Sequence, residues 1–430
     1  MTVLDQLRAF ARELEIIDTH EHLVYEADWV QTSHDVLVEW LSHYFSCDLI
    51  SAGLPHKVMS DSILAGSLSV AEKWKLLEPF WNAARNTGYA RSLDIAARDL
   101  YGEARVDGAS IEKINKEFVA RRKASAAGKS YYKTVLKDKC RIKTSLLDSF
   151  THAPKGVERD FFTYIYRIDS LLGMCDASQL DAFAAQAGMA VHSLDDWKAV
   201  VEKIIDKAVA AGAAALKCAV AYERPLYFAR PTAAEAETAF NKLLCVPHGP
   251  DIGPVRRDTG RVLEDFTMHW ILTLADTRGL TIQVHTGLQE GNGNILSNSN
   301  PELLSNLFLE YTNVTFDVFH MSYPYQNVLS ALAKNFPNVM IDMCWAHIIS
   351  PEAAVRALVE FLDAVPANKI SAFGGDYLFV DGVYGHQALA RENVAKALAI
   401  KVDDGCFDVE RAKEICRWLL FDNPRRIFKL

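Results

Sequence analysis

The chain has 430 residues, of which 50% are hydrophobic, and a formal net charge of −9 at pH 7. This length allows two or three domains or one large α/β barrel, and composition alone does not choose between them. The negative charge, with no basic run along the sequence, argues against a nucleic-acid or anionic-membrane surface. It favours chemistry on small molecules.

The N-terminus and the cysteines bear on where the protein works. Residues 1–11 are polar and alternating rather than signal-like, and no window reaches about 18 uninterrupted apolar residues. The eight cysteines are scattered, without a C-x-x-C pair or a short disulfide framework. We therefore expect a soluble, cytoplasmic protein whose cysteines are mostly reduced and buried.

Eight short runs rich in β-formers, separated by stretches with helical periodicity, are typical of a parallel sheet with crossover helices. The runs cover residues 16–20, 141–147, 161–167, 214–220, 281–285, 314–319, 339–343 and 370–373. Several are apolar throughout, as expected for strands covered on both faces. Eight such units predict a closed (β/α)8 barrel, a TIM barrel of the α/β class.

The gap between the first and second runs is far longer than a barrel connection requires. Helical patterns at residues 35–45, 70–87, 91–100 and 111–123 fill it, which predicts a helical insertion over residues 28–138. Because this insertion follows the first strand, it should pack over the C-terminal mouth of the barrel. A second excursion, residues 221–254, should form part of the rim. No interdomain linker stands out, and residues 1–430 are predicted to be a single domain.

Polar side chains fall at the C-terminal ends of these runs. His20 and His22 end the first run, and their i, i+2 spacing places both on one face of a strand. His285 ends the fifth run, His320 follows the sixth, and Asp376 follows the eighth. In a parallel barrel these ends converge around one axis. The pattern predicts a metal site of His20, His22, His285 and Asp376 that activates a water molecule.

Further residues near the strand ends have predicted roles. Asp376 would act as ligand and proton acceptor, and His320 would either bind the metal or donate a hydrogen bond to negative charge on the substrate. Lys217 alternates with apolar neighbours and could face the barrel interior. Three residues are candidates for binding substrate: Arg167, Tyr222 and Arg224. For Arg167 the alternative is an ion pair with the neighbouring Asp169.

Four segments together resemble the amidohydrolase superfamily, and specifically its amidohydrolase-related branch. They are residues 18–23 (DTHEHL), 284–287 (VHTG), 320–324 (HMSYP) and 373–376 (FGGD). Residues 320–324 are similar to the nodulin-related members, and the long insertion is similar to that of uronate isomerases. The resemblance implies a distorted (β/α)8 barrel with a metal held by His20, His22 and Asp376. It also implies that His320 binds a metal or polarises the substrate.

The number of metal ions depends on Lys217. In members with two ions a carboxylated lysine on the fourth strand often bridges them, and Lys217 resembles that residue; uncarboxylated, it could hold a substrate carboxylate instead. We expect one divalent ion, with zinc as the first candidate. Histidine and aspartate ligands also accept manganese, iron or nickel.

Metal-dependent hydrolysis of a small, carboxylate-bearing amide, ester or lactone is the leading hypothesis. Because a fold does not fix a reaction, a uronate-isomerase-like sugar acid isomerase and a metal-dependent decarboxylase are the alternatives. A degenerate barrel that only binds a ligand is the non-enzymatic alternative. The expected partner is a small molecule, with no nucleic acid or membrane, and a homo-oligomer is compatible with the sequence.

Overall fold

The computed structural model describes residues 1–149, 158–173, 177–245 and 253–430, except for the side chains of residues 253–259. Within these ranges the chain forms nine parallel strands that pair in sequence order, β1 to β3 in one sheet and β4 to β9 in another. They are β1 (Ile16–Glu21), β2 (Ile142–Leu147), β3 (Phe162–Tyr164), β4 (Tyr166–Arg167), β5 (Ala215–Cys218), β6 (Thr281–Val284), β7 (Thr315–Val318), β8 (Val339–Asp342) and β9 (Ile370–Ser371). Cys175 and part of the predicted excursion at 221–254 lie outside the described residues.

Backbone hydrogen bonds close these strands into a barrel. Strands β3 and β4 act as one barrel strand interrupted at Ile165, whose N–H donates to Leu147 O over 3.1 Å. On the other side of the barrel, the N–H of Thr19 donates to Phe373 O over 3.1 Å and so joins β1 to the end of β9. The eight resulting strands coincide with the eight predicted runs. The predicted (β/α)8 barrel is confirmed.

Helix α1 (Val3–Glu13) precedes the barrel, and a helical insertion connects β1 to β2. The insertion contains α2 (Glu26–Trp29), α3 (Val36–Trp40), α4 (Phe45–Ser51), α5 (Val70–Ala84), α6 (Gly88–Tyr101) and α7 (Ile111–Ala126), with π-helical turns at Val58–Leu64 and Lys133–Lys139. Helix α5 begins at a capping box, in which Glu72 N–H donates to Ser69 Oγ and Ser69 N–H donates to Glu72 Oε2. The insertion expected after the first strand is therefore present.

The remaining helices surround the barrel or follow it. They are α8 (Asp169–Leu172), α9 (Ala177–Ala187), α10 (Leu194–Ala210), α11 (Ala233–Leu244), α12 (Gly253–Arg278), α13 (Ser305–Glu310), α14 (Gln326–Asn335), α15 (Ala346–Ile349), α16 (Pro351–Ala364), α17 (Val380–Asp403), α18 (Val409–Arg417) and α19 (Asn423–Ile427). Short 3₁₀ turns lie at Val220–Tyr222, Leu296–Ser299, Pro301–Leu304, His320–Ser322 and Ala367–Lys369, and a π-helical turn lies at Trp418–Asp422. Along the described part of the chain, none of the helices combines the length and apolarity that crossing a membrane requires.

One buried carboxylate, Asp381 of α17, anchors the insertion to the barrel. Its Oδ2 accepts from Trp40 Nε1–H over 2.9 Å and from the Tyr101 hydroxyl over 2.6 Å. Its Oδ1 accepts from the Tyr131 hydroxyl over 2.6 Å. Several hydrogen-bond donors offset part of the cost of burying a carboxyl group, and here all three donors come from the insertion. Insertion and barrel also share one continuous hydrophobic core.

The C-terminal segment covers the opposite end of the barrel. Phe421, Ile427 and Phe428 pack with Ile17 and other residues near the N-terminal ends of the strands in a separate apolar cluster. The hydroxyl of Thr281 donates to Ile427 O over 2.8 Å. The cavity described below therefore lies at the C-terminal ends of the strands, where βα loops and the insertion meet.

Candidate metal centre and substrate cavity

A cavity of about 220 Å³ lies at the C-terminal ends of the strands. The barrel strands and the residues that end them contribute His22, Arg167, Lys217, His285 and Asp376. The loops and the insertion contribute His43, Tyr44, Tyr222 and Glu290. The lining is thus composed of side chains that carry charge, donate hydrogen bonds or bind cations. Strand ends that are distant in sequence meet here, as the barrel rule predicts.

Three predicted ligands lie close together: His22 and Asp376, which line the cavity, and His20, which is buried beside them. Asp376 Oδ1 lies 3.6 Å from His20 Nε2 and 3.3 Å from His22 Nε2. The potential ligand atoms of His20, His22 and Asp376 all lie within 4.8 Å of one another. Two imidazoles and a carboxylate in this arrangement match the ligand chemistry of zinc and similar divalent ions.

Hydrogen bonds fix the tautomers of both histidines. Gln283 donates from Nε2 to Thr19 O over 2.9 Å, so its Oε1 remains to accept from His20 Nδ1–H over 3.2 Å. His22 Nδ1–H donates to Asp148 O over 2.9 Å. Each ring therefore presents the lone pair of Nε2 towards Asp376. Such outer hydrogen bonds are what orients histidine ligands in metal sites.

Burial and charge also suit a cation. His20 Nε2 is completely buried and has no hydrogen-bond partner among the described residues. Burial lowers the pKa of His20 well below its ordinary value and that of His22 to about 4, so both rings are neutral, as ligation requires. Burial raises the pKa of Asp376 to about 7. A divalent ion would partner the orphaned nitrogen and stabilise the carboxylate; these residues fit a metal.

His285 lies against His320 rather than within this group. His285 Nδ1 and His320 Nε2 are 3.0 Å apart, and the other nitrogen of each ring faces a carbonyl oxygen, Leu288 O or Cys344 O. If both rings are neutral and donate to those carbonyls, the lone pairs of His285 Nδ1 and His320 Nε2 face each other. A proton or a cation between the two nitrogens would remove this repulsion. Asp376 Oδ2 lies 4.0 Å from His320 Nε2.

This geometry narrows the role predicted for His320. Burial lowers the pKa of His320 well below its ordinary value, which favours the neutral ring. Because its Nδ1–H donates to Cys344 O, a neutral His320 presents a lone pair at Nε2. It can then bind a cation or accept a proton, and it donates to a substrate oxygen only when protonated. The nearby set of His320, Cys344 and Asp376 is a second group of potential ligands.

Two cations line the cavity in different environments. Lys217 is buried and its pKa is lowered by burial; among the described residues no carboxylate oxygen lies within 4.0 Å of its Nζ, which sits 3.4 Å from the centre of the Phe319 ring. Arg167 donates to Asp148 Oδ2 over 2.8 Å and lies 3.4 Å from Asp169 Oδ2. Arg167 thus combines both predicted possibilities, since it reaches the cavity while ion-paired.

Of the other two residues predicted to bind substrate, Tyr222 lies in the cavity and Arg224 lies outside it. Tyr222 lines the cavity, and its hydroxyl accepts from Glu290 N–H over 2.9 Å. Arg224 does not line it. Its guanidinium is buried elsewhere and pairs with Glu264 over 2.7 Å and Asp265 over 2.6 Å. The structure thus places Arg224 outside the lining of this cavity, because its guanidinium pairs with these two acids of α12.

Several residues in or beside the cavity were not predicted from the sequence. Asp148 directly follows β2, with Oδ2 4.0 Å from His20 Nε2, and the strand-end rule applied to this position would have found it. Tyr44 comes from the insertion, and its hydroxyl donates to Asp376 Oδ2 over 2.6 Å. His43 and Glu290 carry no comparable local signal.

Left-handed backbone conformations occur at three strand ends of the site. His320, Trp345 and Asp376 have φ values of 63°, 62° and 58°, which non-glycine residues rarely adopt. Such strain persists where surrounding structure imposes it and is common at functional sites. Gly375, just before Asp376, is required by a close approach, because a Cβ there would lie 1.7 Å from Glu21 Oε1.

A family model described as Amidohydrolase matches residues 173–430, more than half of the chain. The chain belongs to this amidohydrolase family. Membership agrees with the resemblance in the four sequence segments, although residues 18–23 lie outside the matched region. The family is metal-dependent, which is consistent with the group of His20, His22 and Asp376.

Similar proteins include enzymes of more than one reaction type. Protein FluG of Emericella nidulans is 27% identical over an alignment of 224 residues, which covers 45% of this chain and 26% of FluG. The chain therefore matches only about a quarter of that relative's length.

Three solved structures share the fold at low sequence identity. A uronate isomerase from Thermotoga maritima has a TM-score of 0.79 at 15% identity, covering 99% of this chain and 97% of its own. A glucuronate isomerase from Caulobacter crescentus has a TM-score of 0.78 at 18% identity, with 99% and 94% covered. A proposed metal-dependent hydrolase from Lactobacillus casei has a TM-score of 0.67 at 16% identity, with 98% and 97% covered. At these identities the likeness establishes the amidohydrolase barrel, insertion included, but not the reaction.

Proposed function

We propose that this amidohydrolase-family protein is a metal-dependent hydrolase of a small, carboxylate-bearing amide, ester or lactone. The observation that carries the proposal is the close group of His20, His22 and Asp376, of which His22 and Asp376 line the same polar cavity of about 220 Å³ as the buried Lys217. The first three suit a divalent ion, and the lysine suits an anionic group on the substrate. The volume limits the part of the substrate that is enclosed to a small group.

Two histidines and one carboxylate would hold the ion. His20 and His22 would bind through Nε2, and Asp376 through Oδ1, which faces both. When bound, a divalent ion polarises a carbonyl group and lowers the pKa of a water molecule to about 7. We propose one ion, with zinc as the first candidate. His285 would join the site through its contact with His320.

Asp376 would also move the proton. In the carboxylate form it would accept a proton from the attacking water and pass it to the leaving group. A pKa raised by burial to about 7 suits a group that must both accept and release a proton near neutral pH. Tyr44 would hold Oδ2 by its 2.6 Å hydrogen bond, which leaves Oδ1 directed at the two histidines.

The remaining cavity residues would bind substrate. Lys217 would pair with a carboxylate, a contact strengthened by its burial and by the lack of a competing acid within 4.0 Å among the described residues. Arg167 and Tyr222 would add hydrogen bonds at the wall of the cavity. His43 would close the side formed by the insertion.

The proposal also covers the compartment in which the enzyme works and its partners. The seven described cysteines are all free, which supports a reducing, cytoplasmic compartment. The partner would be a small molecule. The single-domain organisation and a homo-oligomeric state remain predictions.

A sugar acid isomerase is the second candidate. The observation that favours it is that the two uronate and glucuronate isomerases align with 99% of this chain, including the insertion that carries Tyr44. Isomerisation of an aldose to a ketose also needs an ion that holds neighbouring oxygens and a base such as Asp376. The two reactions differ in the use of water.

Oxygen-18 water separates the two candidates. The metal-loaded protein would be offered N-acyl amino acids, small lactones and esters, and hexuronates, with products analysed by mass spectrometry. We expect a hydrolysis product that carries solvent oxygen and disappears with Asp376→Asn. Conversion of a hexuronate without stable incorporation into its carboxylate would instead establish the isomerase. If no substrate turns over and the purified protein binds no divalent ion, the proposal of a metalloenzyme is wrong.

A further inference from the structure

Glu290 is an acid in the wall of the cavity that lacks a cationic partner. It follows β6, and within the described residues no lysine, arginine or histidine nitrogen lies within 4.0 Å of its carboxylate. Its Oε1 accepts from the Cys47 thiol, a weak donor 3.6 Å away, and the backbone N–H of Gly291 also donates to the carboxylate. Burial raises the pKa of Glu290, as expected for a carboxylate without a nearby cation.

Asp381 is an example in this chain of a buried acid with several strong donors. Asp381 accepts from Trp40, Tyr101 and Tyr131, as described above. An acid placed only for structure is expected to be satisfied in this way. Among the described residues, Glu290 has only the weak Cys47 thiol and the Gly291 N–H as donors, while its backbone is held by the bond from its N–H to the Tyr222 hydroxyl. Its carboxylate is thus positioned but not neutralised.

The loop that carries Glu290 is fixed across the mouth of the cavity. Gly291 and Gly293 adopt φ values of 90° and 86°, which turn the chain back sharply. Asn292 Nδ2–H donates to Cys47 O over 3.2 Å and so ties this loop to α4 of the insertion. Glu290, on this loop, is partly exposed, whereas Lys217, on β5, is buried.

Lys217 and Glu290 place opposite charges in the same small cavity. Both line the cavity of about 220 Å³, yet their charged groups are not within 4.0 Å of each other. Neither neutralises the other, and each is left for a group of opposite charge on a bound molecule. A molecule that carries an anionic and a cationic group separated by a few bonds would complement both.

We propose that Glu290 binds an ammonium group, so that the substrate is zwitterionic, with an amino group for Glu290 and a carboxylate for Lys217. This inference rests on the proposed function, and it narrows the substrate class to amides, esters or lactones derived from amino acids. A molecule that lacks the amino group would leave Glu290 unpaired and would bind more weakly. Glu290 is then a specificity residue, with a role separate from the proposed proton transfer at Asp376.

Small ω-amino acids are probes of the distance between the proposed ammonium and carboxylate subsites. β-Alanine, γ-aminobutyrate and δ-aminovalerate place an ammonium group at increasing distances from a carboxylate, and propionate, butyrate and valerate are their counterparts without it. Calorimetric titration of the purified, metal-loaded protein would give the affinity of each. We expect one of the amino acids to bind at least about tenfold more tightly than its counterpart, the size of one charge-assisted hydrogen bond.

Two matched variants test whether Glu290 is responsible for the tighter binding of the amino acid. Glu290→Gln keeps the shape of the side chain and should remove the advantage of the amino acid while leaving the affinity for the simple carboxylate unchanged. Glu302→Gln, an exposed acid further along the same segment, should leave both affinities as in the parent. Equal binding of amino acids and simple carboxylates by the parent would overturn the inference. So would a gain that survives Glu290→Gln, or a loss of both affinities in that variant.

The binding experiment tests Glu290 independently of whether the enzyme turns over a substrate. Binding is read without any reaction, and bound metal would be measured separately by elemental analysis. A parent protein with metal and hydrolytic activity but no preference for ammonium would refute the role of Glu290 alone. A preference for ammonium without metal or hydrolysis would refute the proposed function and retain the zwitterion site.

Discussion

The barrel and the helical insertion contribute to the same cavity in different ways. The barrel supplies the proposed ligands and the buried cation, including His20, Asp376 and Lys217, from strand ends whose convergence is dictated by the fold. The insertion supplies His43 and Tyr44, of which Tyr44 contacts a barrel residue, Asp376. The difference indicates that the barrel sets the chemistry, whereas the insertion orients one group and encloses the substrate.

Replacing one histidine from each region tests this division most strongly. His20→Ala removes a proposed ligand, and we expect bound metal to fall below a tenth of the parent value and turnover by on the order of a thousandfold, since a catalytic ion contributes several kcal/mol. His43→Ala should retain the metal, because His43 belongs to neither group of potential ligands among the described residues. Elemental analysis of both variants would decide. Loss of metal from His43→Ala would contradict the division.

Two cations near strand ends provide the next contrast. Lys217→Met should lower kcat/KM by roughly tenfold to a hundredfold through KM, because a buried contact to a carboxylate is lost, while metal content is unchanged. Arg224→Met should leave KM of the folded enzyme unchanged.

Arg224→Met should instead act on stability. It leaves Glu264 and Asp265 without their partner, and removing one member of a buried ion pair costs about 3 kcal/mol or more. Urea denaturation and steady-state kinetics on both variants separate the effects. A raised KM in Arg224→Met would return that residue to the substrate site.

Tyr44→Phe examines the contact between the two regions. Loss of the hydrogen bond to Asp376 should lower kcat about tenfold with metal retained. The bond stabilises the charged carboxylate, so its loss should raise the pKa of Asp376. Because the base must be ionised, activity then rises with pH over a higher range than in the parent. Tyr89→Phe, which alters a ring stacked on Tyr44 at 5.3 Å, is the control and should keep the parent pH profile.

The sequence was sufficient for the barrel and for the convergence of three strand-end residues, His20, His22 and Asp376. Strand periodicity is local, and the barrel itself brings His20, His22 and Asp376 together, so no knowledge of individual contacts was needed. Asp148 obeys the same rule after β2 and was overlooked.

The remaining differences depend on long-range contacts. Arg224 follows a strand end, but its partners Glu264 and Asp265 lie on a distant helix, and nothing near Arg224 in the sequence reveals them. Tyr44 reaches Asp376 because the insertion is fixed to Asp381 of α17. Helical periodicity predicts the helices of the insertion but not which of their ends will face the barrel.

The smallest expected effect concerns stability. It tests whether the helical insertion and the barrel unfold separately. Ser69 caps α5 in the insertion and Thr232 caps α11 of the barrel, each in a capping box, and replacement of either by alanine should cost about 1 kcal/mol. Because insertion and barrel share one hydrophobic core and the anchor at Asp381, we expect a single unfolding transition that both variants lower equally. Circular dichroism and tryptophan fluorescence in urea would follow it. Two transitions, with Ser69→Ala shifting one and Thr232→Ala the other, would mean that the insertion is an independent folding unit and that Tyr44 is held at Asp376 only while that unit remains docked.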